Sequence, residues 1–222
     1  MKHLIVVFVF SALIATSGFS QSKTYWSAGG EMLFSFANIT DNGADASSTL
    51  RWAPIINLQG KYNIDFHENV GIFTGLFLRN VGYIYDNYRD RTLVPGEFGT
   101  PHKQKFRSFN VGIPLGLKVG VMDKFFIYGG YEIELPVHYK EKTFDGGDKV
   151  NTTTGWFSDR QELFQHGFMV GIQFPYEFTV KFKYYLSEFH NQDFTQGDGI
   201  KPYAGLESHV FYFSLGYNFA FK

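Results

Sequence analysis

From residue 26 onward, apolar and polar residues alternate at period two, the spacing of β-strands whose two faces meet different surroundings. Trp26, Ala28, Gly30, Met32, Phe34 and Phe36 alternate with Ser27, Gly29, Glu31, Leu33, Ser35 and Ala37. A second run sets Trp52, Ile56, Leu58, Tyr62, Ile64 and Phe66 against Arg51, Asn57, Gln59, Lys61, Asn63 and Asp65, with Pro54 marking an irregular strand end. In a third run, Val70 to Tyr85, Phe73 and Phe77 share a face with Gly71, Gly75 and Arg79. A fourth alternates Phe109 to Val121 with Asn110, Gly112, Pro114, Gly116, Lys118 and Gly120. The fifth sets Ile127, Tyr131, Ile133, Leu135, Val137 and Tyr139 against Tyr128, Gly130, Glu132, Glu134, His138 and Lys140. Three more runs, 161–174, 178–187 and 211–221, follow the same rule, with Lys181 and Lys183 on the polar face of the seventh.

Short turns at His67 to Asn69, Met122 to Lys124 and Pro175 to Tyr176 alternate with long polar loops at 39–50, 86–104, 143–159 and 189–207. Eight runs joined in this way predict an all-β fold: a closed, antiparallel transmembrane β-barrel of about eight strands in an up-and-down meander, with short periplasmic turns and long extracellular loops. Both ends of the mature chain then lie in the periplasm. A water-soluble barrel keeps its apolar side chains in the lumen. Here the polar faces are rich in Gly, Ser, Ala and Asn, which suits a narrow interior, and the apolar faces are dense in Phe, Leu, Ile and Val. Closure follows from the lipid, where unpaired backbone groups are expensive and a sheet needs to be without edges. Trp26, Trp52, Phe66, Tyr83, Tyr139, Tyr176 and Phe221 lie near strand ends, where aromatic girdles form.

Composition sharpens the class without naming an activity. The chain carries 26 Phe and 14 Tyr, no Cys, and 20 Lys plus Arg against 21 Asp plus Glu. This balance argues against a nucleic-acid partner, and the lack of Cys removes disulfides and thiolate metal sites. Lys2, the apolar run Leu4 to Ile14 and the small residues Gly18 and Ser20 predict a signal peptide over 1–20, cleaved before Gln21, leaving a barrel domain over 21–222. The apolar run is shorter than the roughly 20 residues that span a bilayer. The expected location is the bacterial outer membrane of a Gram-negative cell.

The C-terminal segment Ser214-Leu215-Gly216-Tyr217-Asn218-Phe219-Ala220-Phe221 resembles the assembly signal of outer-membrane barrels, carried by Ser214, Gly216, Phe219 and Phe221 and followed here by one further residue, Lys222. With the export segment, the whole mature chain resembles the small outer-membrane barrels related to OmpA and OmpX. Ile113-Pro114-Leu115 with its flanking alternation is similar to the PorT-like barrels of Bacteroidetes. The resemblance implies insertion by the outer-membrane barrel-assembly machinery among outer-membrane lipid and lipopolysaccharide. It carries no catalytic residues.

Strand parity places Glu31, Lys61, Arg79, Lys118, Glu132, Glu134, Lys140, Lys181 and Lys183 in the lumen. An eight-stranded interior is just wide enough for side chains to fill. Charges there have to pair, and Glu132 and Glu134 are expected to meet some of Lys118, Lys181 and Lys183. The expected function is a filled barrel with a structural or binding role exercised through its extracellular loops, which hold Phe144, Trp156, Phe157 and Phe194 and are where an envelope protein or other ligand would bind. The alternatives are a narrow channel for small solutes or ions and a lipid-modifying enzyme. For the enzyme, the candidate is Ser187-Glu188-Phe189-His190, but parity separates Ser187 from Glu188 and His190, and the His-x-Ser-Asn order of the lipid A deacylase family is missing. No catalytic residue, metal site or cofactor is expected: His138 and His166 stand alone, and Asp41, Asp45, Asp145 and Asp148 read as turn residues.

Overall fold

The computed structural model describes residues 22–94 and 96–221, so the expected export segment lies outside the described residues. The chain forms β1 (Lys23–Asp41), β2 (Ala44–Thr49), β3 (Arg51–Ala53), β4 (Leu58–His67), β5 (Val70–Tyr88), β6 (His102–Val121), β7 (Phe125–Asp145), β8 (Asp148–Trp156), β9 (Gln165–Gln173), β10 (Phe178–Tyr185) and β11 (Leu206–Phe221). Eight of these, β1, β4, β5, β6, β7, β9, β10 and β11, pair antiparallel around a ring. Closure is made by β1 and β11, which pair from Trp26↔Phe221 to Asp41↔Leu206. The ring leaves none of these eight strands as a free edge along its shared length, which is what hydrocarbon demands of a sheet.

The faces separate as the alternation requires. Along β6, Ile113, Leu115, Leu117 and Val119 point outward and are 51–66% exposed, while Asn110 and Lys118 are 0% and 2% exposed. So large an apolar skin would aggregate in water and is matched by lipid. Inward glycines make room for larger neighbours: a Cβ on Gly112 would come within 2.6 Å of Glu132 Oε1 and 2.8 Å of Glu134 Cγ. The gap that Pro54 opens between β3 and β4 is sealed by Asn57, whose backbone carbonyl accepts from Glu31 N at 3.0 Å. Its side-chain oxygen accepts from Asn80 N at 2.7 Å.

Three expectations need correction. The segments 39–50 and 143–159 are for the most part strand. Asn42 and Gly43, with φ of 51° and 80°, form a two-residue hairpin turn between β1 and β2, and Gly146-Gly147 does the same between β7 and β8. Second, β7 carries a bulge: Asn110 pairs with Pro136 and Phe109 with His138, which leaves Val137 without a partner. One extra residue inverts the facing of all that follow. Lys140, expected in the lumen, therefore points outward with His138, whereas Tyr139, expected in a girdle, is 1% exposed inside. Third, Tyr83 is no girdle residue either, because it continues the inward parity of Phe73, Phe77 and Arg79 and is 0% exposed. Trp26, Trp52, Phe66, Tyr176 and Phe221 are all exposed.

Candidate functional site: a filled lumen

The interior is built in layers. At its centre Glu31 of β1 accepts from Arg79 Nη1 at 2.6 Å, Lys181 Nζ at 2.8 Å and Ser214 Oγ at 2.6 Å. A second cluster forms where Lys183 of β10 donates to Glu132 Oε2 at 2.7 Å and Glu134 Oε1 at 2.5 Å. Period two puts both carboxylates on one face of β7, so one ammonium bridges them. Asn110 Nδ2, at 2.7 Å, and Tyr185 OH complete the shell of Glu134. Nearer the short-turn end, Lys118 reaches Asp65 at 2.6 Å, Tyr25 OH at 3.0 Å and Asn63 Oδ1 at 3.0 Å.

Glu132 and Glu134 thus meet Lys183, but neither Lys118 nor Lys181, which serve Asp65 and Glu31. Lys61 differs from the other lumen cations. Its Nζ lies 4.8 Å from the centre of the Tyr128 ring, 5.5 Å from Phe73 and 5.8 Å from Phe77, and among the described residues it forms no ion pair. It borders a cavity of about 120 Å³ at the short-turn end, lined also by Tyr25, Ser27, Asn63 and Lys118.

The long-loop end is closed by aromatics. The segment after β10 folds back over the mouth and stacks His190 on Tyr203, with centroids 4.2 Å apart and planes 19° from parallel. Phe106 meets the same imidazole edge-on at 4.5 Å, and the Nε2 of His190 lies 3.0 Å from Tyr83 OH. Burial, joined by the nearby charges of Arg160 and Arg91, pushes His190 down to about 3, so the ring in this cap is neutral. Tyr139 and Tyr203 both donate to Glu141 Oε2, at 2.6 and 2.8 Å, and Arg91 ties the cap to β1 through Asp41 at 2.6 Å. The sequence pattern misses this cap because His190 and Tyr203 lie in a segment without period. The available signal is that Tyr83, Tyr85 and Phe106 continue the inward parity of their strands.

The Ser187-Glu188-Phe189-His190 segment does not gather into a catalytic set. The Oγ of Ser187 accepts the backbone N–H of His166 at 3.0 Å, Glu188 accepts from Gln192, and His190 is buried against Tyr83. His138 packs on Trp156 and His166 contacts Tyr131 OH at 2.6 Å. Among the described residues no group of three or more metal-ligating side chains assembles. In the terminal strand Ser214 points inward to Glu31, and Phe219 and Phe221 point outward.

An edgeless ring of eight antiparallel strands, apolar outside and filled with paired charges inside, defines the class: a small transmembrane β-barrel of the outer-membrane type. No family model and no curated protein matches the chain. Among solved structures it is similar to Ail, the attachment invasion locus protein of Yersinia pestis, at 13% identity over 88% of this chain and 99% of that one, with a TM-score of 0.38. It is also similar to Neisserial surface protein A, at 10% identity over 91% and 100% of the two chains, with a TM-score of 0.40. The outer membrane protein OprG from Pseudomonas aeruginosa is similar at 13% identity over 88% and 95%, with a TM-score of 0.36. At these identities and scores the similarity assigns no activity.

Proposed function

We propose that this chain is an exported outer-membrane barrel that does not conduct and that works as a structural and binding protein from its long-loop end. The observation that carries this is double occlusion: the charge clusters on Glu31 and Lys183 fill the middle of the lumen, and the His190-Tyr203 cap covers one mouth. The short turns face the periplasm together with both mature ends, and the assembly machinery inserts the barrel through the strand bearing Ser214, Gly216, Phe219 and Phe221. The role is non-catalytic, in keeping with a Ser187 whose oxygen is engaged by backbone. What binds outside meets the long-loop end, beyond the row that Trp156 shares with His138. The mature protein, refolded and checked by heat-modifiable migration, is expected to give no conductance steps in a planar bilayer. Discrete steps, altered by neutralising Lys181 or Lys183, would replace this function with that of a narrow channel.

A further inference from the structure

The outward face of β6 and β7 changes character along its length. A lipid-spanning strand needs about 9–11 residues, which on β6 runs from Val121 to Val111. Directly beyond come Phe109 and, opposite it, His138, whose ring packs on Trp156 at 4.7 Å. The next outward rows are all basic: Arg107 stands opposite Lys140, and Lys105 opposite Lys142. Lys149 adds a fifth cation on β8, where Thr154 and Thr152 stand opposite Lys140 and Lys142.

Like charges directly across a ladder repel, yet none of these five forms an ion pair among the described residues. Glu141, between Lys140 and Lys142 in sequence, points inward to Tyr139 and Tyr203, and Asp86, on the strand beside β6, is taken by Lys103 at 2.9 Å and by Thr49. Lys142 is pushed down by burial and by Lys140, Lys149, Arg107 and Lys105. The Nε of Arg107 is buried without a hydrogen-bond partner. Such an array lacks its anion, and its position one aromatic row above the apolar belt says where that anion sits.

We infer that Lys105, Arg107, Lys140 and Lys142 form a binding site for the phosphate of lipid headgroups in the outer leaflet, with Thr152 and Thr154 as hydroxyl donors. This rests on the membrane placement proposed above. Phosphate oxygens accept charge-assisted hydrogen bonds from several cations at once, and a membrane-anchored phosphate reaches this height without leaving the lipid.

Trp156 beside the array is a local reporter. With Trp26→Phe and Trp52→Phe leaving it as the lone tryptophan, its quenching by brominated phosphatidic acid is compared with that by brominated phosphatidylcholine in mixed vesicles. The expected preference for phosphatidic acid is at least about fivefold, the factor that one basic side chain contributes at a membrane surface. It falls to near one in Lys105→Gln/Arg107→Gln/Lys140→Gln/Lys142→Gln. Equal quenching by both lipids from a folded barrel would overturn the site, as would a preference unchanged in the fourfold variant. Loss of the preference on adding millimolar inorganic phosphate would mean a soluble anion, and failure to acquire heat-modifiable migration in any vesicle would instead sink the membrane placement.

Discussion

Replacing Glu31 with leucine is expected to destabilise the barrel by about 3–5 kcal/mol, the range for removing one partner of a buried ion pair. The carboxylate is the shared partner of Arg79 and Lys181, both within 2.8 Å, and of the Ser214 hydroxyl, and it is about 1% exposed at its side chain. Its loss strands two cations in a space that cannot hydrate them freely. Urea titration of the refolded protein in lipid should show a lower midpoint with an unchanged slope, since the surface exposed on unfolding is the same. Adding Lys181→Met to Glu31→Leu should recover part of the loss, because one stranded cation is then gone; strict additivity would mean that the two are not coupled.

Lys183→Met should cost about 3–5 kcal/mol by the same reasoning with the signs reversed. Lys183 bridges Glu132 and Glu134, both 0% exposed, and without it two carboxylates face each other across one residue of strand. Lys61→Met is the contrast. Lys61 packs its ammonium among aromatic rings and forms no ion pair among the described residues, so the apolar replacement should leave stability unchanged or raise it. If the two variants fell by equal amounts in the same urea experiment, the pairing described for the lumen would be wrong.

Much of the fold is legible in the sequence because a membrane barrel writes both of its solvents into a period of two. The lipid face is read directly from Ile113, Leu115, Leu117 and Val119, and the inward set from Glu31, Lys118, Glu132, Glu134, Lys181 and Lys183. Parity has no memory of insertions, which is why Lys140 and Tyr139 exchange places after the unpaired Val137. Pro136, which lacks an N–H and sits beside the bulge, is the local hint. The hairpins at Asn42-Gly43 and Gly146-Gly147 escaped the reading because the polarity of 39–50 and 143–159 suggested loops, although the Asn-Gly and Gly-Gly pairs are the local signal for such turns. The cap formed by His190 and Tyr203 was not, since its partners come from β5, β6 and β7 and no local pattern encodes that meeting. Pair identities within the lumen were equally out of reach. Parity places Lys181 and Lys183 on one face, and only register sends the first to Glu31 and the second to Glu132 and Glu134.

The inside-out distribution of polarity is tested most directly with single cysteines, since the chain has none of its own. Nitroxide labels at Ile113, Leu115 and Leu117, and at the inward Ser35 and Ser214, are compared in vesicles for collision with oxygen, which concentrates in lipid, and with a water-soluble nickel chelate. The three β6 sites should collide freely with oxygen and hardly with nickel, and the two serine sites should be shielded from both. Nickel-accessible labels at Ile113, Leu115 and Leu117 would contradict a lipid-facing surface and return the chain to the class of water-soluble barrels.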